Sequence, residues 1–118
     1  LSFYKLYRKT EVYLWKDIKK ILIEADIIIN CTSIGWGKQS LKSPIPVNFL
    51  NYVKKSSKFF DVIYDPRTTV LLKNVRKKGF KSLNGLDMNL QQAVLAYAKV
   101  NKMTNKLNTI KNFMNSKN

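Results

Sequence analysis

Uncharged polar side chains stand at three points of the sequence where a predicted element begins or ends. They are Asn30, Thr32 and Ser33 after one apolar run, Tyr64 at the end of another, and Gln91 and Gln92 near the start of a later helix. Hydroxyl and amide groups make directional hydrogen bonds without carrying charge, so a cluster of them could bind a small polar ligand. Taken one at a time, each is better explained as a turn, packing or surface residue.

Two apolar runs are predicted to position these residues. Residues 26–31 and 58–64 are rich in β-branched and aromatic side chains with little polar alternation, which is typical of strands covered on both faces. Residues 80–83 would form a short third strand. Because the carboxyl ends of parallel strands share one edge of a sheet, the three polar groups are expected to meet there.

Apolar residues at helical spacing predict the remaining elements. The predicted helices cover residues 16–25, 70–78, 88–100 and 104–115, with a turn or two of helix at 48–54. Thr69 is the expected N-cap of the second helix and Gly79 its left-handed stop. Residues 11–15 alternate enough for a short strand. This order of strands and helices predicts an α/β fold with a largely parallel sheet of three to four strands and flanking helices.

The residue types exclude several kinds of active site. The sequence has no histidine and one cysteine, Cys31, so it holds no His–Cys metal cluster, no Ser–His–Asp triad and no internal disulfide. No apolar run approaches the roughly 18 residues of a membrane span, and no signal peptide is visible. The expectation is a cytoplasmic chain of one domain at most, with no metal and no membrane association.

The charge balance is strongly basic. The net charge of +15 comes from 22 Lys and Arg against 7 acidic residues. Attraction to a polyanion is one explanation, and it makes a small nucleic-acid-binding module an alternative function. A solvated lysine-rich surface is the favoured explanation, because the basic residues form no stripe interleaved with aromatic side chains.

Gly35 and Gly37 suggest a dinucleotide fingerprint, but the pattern fails. Ser40 stands where the third glycine would be, and Pro44 and Pro46 prevent a helix from starting there. A phosphate cradle requires the glycines together with a helix N-terminus. This turn is therefore not expected to hold the phosphates of a dinucleotide.

Three segments resemble motifs of the shikimate dehydrogenase family. ADIIINCTSIGW (25–36) is similar to A-D-hydrophobic-N-A-T-x-x-G-M, DVIYDPRTTVLL (61–72) to D-x-x-Y-x-P-x-x-T-P-L-L, and NGLDMNLQQAV (84–94) to G-L-x-M-L-x-x-Q-A. The motifs come in the family's order and at its spacings, over about residues 17–100. The sequence departs from the family's pattern at Trp36 for Met, Asp65 for a common Asn, Val70 for Pro and Asn89 for an apolar residue.

The resemblance implies a partial Rossmann-like fold and an NADP-dependent reduction of 3-dehydroshikimate to shikimate. Residues 1–103 would be a truncated dinucleotide-binding domain and residues 104–118 a C-terminal helix. The implied cofactor contacts are Asn30, Thr32, Val62, Gly85 and Met88, with Val62 and Gly85 beside the nicotinamide. Tyr64 and Gln92 would bind the substrate, for which uncharged hydrogen-bonding groups are well suited.

The resemblance also implies that important parts of the enzyme are missing from this sequence. The family's catalytic Lys and Asp, its glycine fingerprint and its N-R-T phosphate clamp precede the matching stretch and are not found here. Hydride transfer needs a held pyrophosphate and a proton donor, so the chain is expected to be inactive alone. Quinate or another hydroxylated ring acid remains an alternative substrate.

Two structural expectations follow from the missing parts. Residues 11–15 would be a strand without its usual neighbours, which either moves in beside residues 26–31 or stays poorly ordered. Leu107, Ile110 and Met114 would normally pack on the absent domain, so they are expected to form an exposed apolar stripe that favours association.

Overall fold

A three-stranded parallel sheet forms the centre of the computed structural model, which describes residues 10–116. Its strands are β1 (Ile27–Asn30), β2 (Lys58–Asp61) and β3 (Lys81–Leu83), in the order β1-β2-β3. The predicted α/β class and parallel pairing are confirmed. The strands are shorter than the apolar runs that predicted them, because pairing stops where the chain turns away after Asn30 and Asp61.

Four α-helices of the described part of the chain flank or follow the sheet. They are α1 (Ile18–Glu24), α2 (Val70–Lys77), α3 (Leu86–Val100) and α4 (Leu107–Asn115). Short 3₁₀ turns cover Trp15–Asp17, Gly37–Gln39, Val47–Asn51 and Thr104–Lys106. Within residues 10–116, no helix is both long enough and apolar enough to cross a bilayer.

Helix α2 begins and ends where its sequence predicts. The Thr69 hydroxyl accepts a hydrogen bond from the backbone N–H of Leu72, which satisfies one of the free donors of the first turn. Gly79 has φ of +83°, a left-handed conformation that glycine adopts without a Cβ penalty.

One face of the sheet carries the main core. Ile28 and Phe59 pack with apolar side chains of α1, α2 and the intervening turns. The buried members of this core are Leu22, Ile45, Leu50, Val53, Phe59, Leu71, Leu72, Val75 and Phe80. Burial of this set, at about 25 cal/mol per Å² of apolar surface, is the main force holding the helices on the sheet.

The opposite face of the sheet is open, which corrects the expectation that the strands are covered on both sides. Ile29, Phe60 and Leu83 stand side by side in the parallel register, with Ile27 one row away. Ile27, Ile29 and Leu83 are each more than half exposed. An apolar run favours burial of both faces, but the helices within residues 10–116 cover only one.

Helices α3 and α4 form a hairpin with a small core of its own. Val94 and Ala98 of α3 pack against Ile110 of α4, with Leu107 and Met114 at the edge of the cluster. The expectation of an exposed stripe on the last helix is therefore wrong, because α3 supplies the apolar face that these residues need. Phe113 remains exposed, and residues 117–118 of the predicted C-terminal helix lie outside the described part of the chain.

Residues 11–15 do not form the predicted strand. Residues 11–14 have no regular secondary structure, and Trp15 begins a 3₁₀ turn. They do not pair beside β1, where one arrangement was expected to place them. All five side chains are exposed. The alternating pattern predicted a strand with one buried face, but no part of the described chain buries a face of this segment.

Candidate functional site

The predicted site residues fall at one edge of the sheet. Asn30 is the last residue of β1, Val62 follows β2, and Gly85 follows β3 and precedes α3. Because the three strands are parallel and adjacent, their carboxyl ends lie along one edge, called here the rim. The strand ends share this edge as predicted, but the polar side chains near it do not line a single hollow: Ser33 and Tyr64 line one, Thr32 lines another, and Gln92 lines neither.

Asn30 is a buried residue that holds the turn after β1. Its Oδ1 accepts hydrogen bonds from the Thr32 backbone N–H at 3.0 Å and the Thr32 hydroxyl at 2.7 Å. Its Nδ2 donates to the Ile34 carbonyl at 3.2 Å and to Asp61 Oδ1 at 3.1 Å. All four hydrogen-bonding positions of the amide are used, so the side chain fixes the loop around Thr32.

Asp61 connects this turn to helix α2. The residue has no exposed surface, and its Oδ1 also accepts from the Ile63 backbone N–H at 3.2 Å. Its Oδ2 accepts from the Thr69 hydroxyl at 2.6 Å, and the Thr69 oxygen accepts from Leu72 N–H. One carboxylate therefore joins the ends of β1 and β2 to the N-terminus of α2.

The structural role of Asp61 was not predicted, although its position in the sequence indicates a buried polar residue. It is an acidic residue inside an otherwise apolar run, FFDVIY, where an unpaired carboxylate would be costly. Such a residue predicts buried hydrogen-bond donors nearby.

Gly85 allows the backbone after β3 to lie directly against the backbone after β2. A Cβ built on Gly85 would lie 2.0 Å from the Val62 carbonyl oxygen. The Gly85 N–H donates to the Ile63 carbonyl at 3.1 Å. Its φ of −80° is available to any residue, so the requirement for glycine is one of space. Val62 and Gly85, both predicted to border one ligand group, are in direct contact.

Tyr64 is the aromatic residue shared by two hollows at the rim. The rim hollow has a volume of about 240 Å³ and is lined by Ser33, Trp36, Val62, Ile63, Tyr64 and Asp65. The helix hollow, of about 500 Å³, lies toward α3 and is lined by Tyr64, Asp65, Arg67, Leu86, Asp87, Asn89, Leu90 and Asn115. Tyr64 is 47 % exposed, so its side chain is accessible to a bound molecule.

Met88 and Gln92 lie on the first turns of α3, and both are exposed. Neither belongs to the lining of the two hollows within residues 10–116. Gln92 is linked to the helix hollow through Asn89, because its Nε2 donates to Asn89 Oδ1 at 3.1 Å. Thr32 lies elsewhere on the rim, in an apolar groove of about 340 Å³ that runs along β1 and also contains Trp15 and Ile27.

The ionisable groups of the described chain do not assemble a metal site. Within residues 10–116, no three His, Cys, Asp or Glu side chains are grouped so as to hold a metal ion.

The pKa of Asp26 is lowered at the other end of β1, away from the rim. The Lys54 ammonium is 2.5 Å from Asp26 Oδ1, and its hydrogen bond and positive charge lower the pKa of the Asp26 carboxyl.

This fold and this rim define part of a Rossmann-like α/β protein, a class that binds ligands beyond the carboxyl ends of parallel strands. The curated proteins with similar sequences are shikimate dehydrogenases. The chain is 32% identical over 91 residues to the shikimate dehydrogenase (NADP(+)) of Microcystis aeruginosa, covering 77% of this chain and 32% of that protein. It is 36% identical over 90 residues to that of Bartonella tribocorum, covering 76% and 31%. Over these residues the chain is similar in sequence to shikimate dehydrogenases.

Solved structures agree with these relatives. The chorismate mutase/shikimate 5-dehydrogenase fusion protein of Clostridium acetobutylicum matches with a TM-score of 0.73 and 26% identity, covering 98% of this chain and 42% of that one. Shikimate 5-dehydrogenase of Listeria monocytogenes, in complex with shikimate and NAD, gives 0.68 and 26%, covering 85% and 34%. Quinate dehydrogenase of Corynebacterium glutamicum, in complex with NAD, gives 0.66 and 26%, covering 86% and 35%.

The chain spans about a third of the length of the curated relatives that it matches. No protein-family model matches it. The similarity supports the interpretation as a fragment of a shikimate dehydrogenase-like protein over the nucleic-acid-binding alternative.

Proposed function

We propose that this chain forms the nicotinamide side of the active-site cleft of an NADP-dependent dehydrogenase that reduces 3-dehydroshikimate to shikimate. The observation that carries the proposal is the contact of Gly85 with Val62 at the rim. It brings together the second and third motifs at the place where the family resemblance puts the nicotinamide. The NADP(+)-dependent relatives support the cofactor and the reaction.

The cofactor, when bound, supplies a hydride at its nicotinamide ring. In this proposal the backbone at Val62 and Gly85 forms the wall beside that ring, and Met88 packs near its face. Thr32 lies along the cofactor. The contribution of Asn30 is to hold Thr32 in place, since its own amide groups are all engaged within the turn.

The substrate contacts in this proposal are Tyr64 and Gln92. A phenol hydroxyl can donate a hydrogen bond to a ring hydroxyl or carboxylate, and a primary amide can both donate and accept. Tyr64 is accessible at the meeting point of the two hollows. Quinate dehydrogenase among the structural neighbours makes quinate the second candidate substrate, because the same two groups would bind either hydroxylated acid.

The chain is proposed to need further residues for turnover. No glycine fingerprint and no counterpart of the family's catalytic Lys and Asp can be identified in the 118-residue sequence. Without a proton donor at the carbonyl, general acid catalysis, which contributes about 10² to 10⁴ in rate, is lost. Without a pyrophosphate site, this chain holds the cofactor only through Thr32 and the contacts at its nicotinamide end.

The test is a pair of measurements on the 118-residue chain. With NADPH and 3-dehydroshikimate we expect no turnover, whereas isothermal titration calorimetry should detect weak binding of NADP⁺. Thr32→Ala should weaken that binding, and Thr109→Ala, which changes an exposed threonine of α4, should leave it unchanged. Turnover by the chain would refute the need for further residues. Absence of any NADP⁺ binding would refute the cofactor site.

A further inference from the structure

Trp36 is a large aromatic residue that the fold leaves exposed at the rim. Its side chain is 60 % exposed, although tryptophan usually buries most of its ring surface. It lines the rim hollow together with Val62 and Tyr64. The hollow therefore has an aromatic wall beside the residues proposed to border the nicotinamide.

The turn that carries Trp36 is held in place on both sides. The Trp36 N–H donates to the Ser33 carbonyl at 3.1 Å, and its own carbonyl accepts from the Gln39 N–H at 3.0 Å. The preceding Gly35 has φ of +113°, and a Cβ there would lie 3.2 Å from Ile63 Cδ1. The turn is thus packed closely against the chain after β2, and the indole extends from a fixed backbone.

We propose that Trp36 stacks on the nicotinamide ring of the bound cofactor and is a binding residue of this site. This inference rests on the proposed function above. Offset stacking of aromatic rings is favourable, and an electron-rich indole over the electron-poor oxidised nicotinamide adds charge-transfer character. The hydroxylated ring of the substrate has no extended aromatic face, so the planar ring is the better match for this wall.

The two tryptophans of the chain provide a matched pair of reporters. Trp15 is as exposed as Trp36, at 60 %, but lines the groove along β1. In the Trp15→Phe variant all tryptophan emission comes from Trp36, and in the Trp36→Phe variant it comes from Trp15. Oxidised NADP⁺ does not absorb at the wavelengths of tryptophan emission, so it cannot quench that emission by energy transfer over a distance. Quenching by NADP⁺ therefore requires contact with the indole.

We expect NADP⁺ to quench the emission of the Trp15→Phe chain and not that of the Trp36→Phe chain. By calorimetry, Trp36→Ala should weaken NADP⁺ binding by about 3- to 10-fold, the range expected for one lost aromatic stack. Trp36→Phe should restore most of the affinity, and Thr109→Ala on α4, away from both sites, should leave it unchanged. Circular dichroism should show that all variants fold, because both side chains are exposed.

The possible outcomes separate this inference from the proposed function. NADP⁺ binding by calorimetry without quenching of Trp36 would overturn the stacking and leave the cofactor site intact. Quenching of Trp15 instead would overturn it and place the ring in the β1 groove. Quenching of Trp36 by shikimate, but not by NADP⁺, would assign the aromatic wall to the substrate and also overturn it. No NADP⁺ binding at all would overturn both proposals.

Discussion

Replacement of Asp61 by alanine should destabilise the whole sheet edge. The side chain is fully buried and accepts three hydrogen bonds, from Asn30 Nδ2, Ile63 N–H and the Thr69 hydroxyl. Alanine removes all three acceptor contacts and leaves those donors with no partner at that position. A buried donor without an acceptor costs about 1–3 kcal/mol.

The expected loss in unfolding free energy is about 3–5 kcal/mol, less than three full penalties. Asn30 Nδ2 keeps its bond to the Ile34 carbonyl, so only one of its two hydrogens loses a partner, whereas the Thr69 O–H loses its acceptor although its oxygen still accepts from Leu72 N–H. Asp61→Asn should cost less, about 1–2 kcal/mol. In this variant the new amide oxygen can still accept from Asn30 and Ile63. Its NH₂ group then faces Thr69, whose hydroxyl loses the acceptor that Asp61 provides.

Urea unfolding monitored by circular dichroism measures these losses. A double-mutant cycle with Thr69→Val should give a coupling energy of about 1–2 kcal/mol with Asp61, because the two side chains share a hydrogen bond. Asp65→Ala, which changes an exposed aspartate four residues away, should cost no more than about 0.5 kcal/mol. A loss below about 1 kcal/mol for Asp61→Ala, or an additive cycle, would refute the reasoning.

Three further perturbations test other parts of the structure. Gly85→Ala places a Cβ 2.0 Å from a backbone oxygen and should lower the free energy of unfolding in urea by about 3 kcal/mol or more. The matched variant Gly37→Ala has φ of +53° and open space around the new Cβ, so it should lower that free energy by only about 1–2 kcal/mol. Ile110→Ala should cost about 2–4 kcal/mol by opening a cavity in the helical hairpin, measured by thermal unfolding. Lys54→Ala should raise the pKa of the Asp26 carboxyl back toward its ordinary value of 3.8, measured by NMR titration.

Each of these predictions has a clear contrary result. Equal losses for the two glycine variants would show that contact with the chain after β2 does not require Gly85. An Ile110 variant as stable as the parent would mean that the hairpin core contributes nothing. For the Asp26–Lys54 pair, the lowered pKa of Asp26 gives stability above the ordinary pKa that is lost as pH falls through the lowered value. An unchanged Asp26 pKa in Lys54→Ala would therefore exclude Lys54 as the cause.

The parts of the fold that depend on local sequence were predictable. Apolar runs gave the positions of β1 and β2, and Thr69 and Gly79 marked the ends of α2, because strand propensity and helix capping act over a few residues. The common edge of the strand ends followed from parallel topology alone, whereas Met88 and Gln92 lie on α3. Their roles as cofactor and substrate contacts remain predictions.

Features that depend on contacts between distant segments could not be obtained in the same way. The open face at Ile27 and Ile29 depends on which helices reach the sheet, and the burial of Ile110 depends on the fold-back of α4 onto α3. The role of Asp61 depends on donors 31 and 8 residues away in the sequence. A pattern within one segment contains no information about such partners.

The open apolar face of the sheet affects how the chain behaves in concentrated solution. Ile27, Ile29 and Leu83 expose hydrophobic surface that two molecules could bury against each other. The net charge of +15 opposes such an encounter through long-range repulsion between molecules. Added salt shortens the range of that repulsion to about 8–10 Å near physiological strength and leaves the hydrophobic attraction in place. Colloidal stability of this chain should therefore decrease as ionic strength rises.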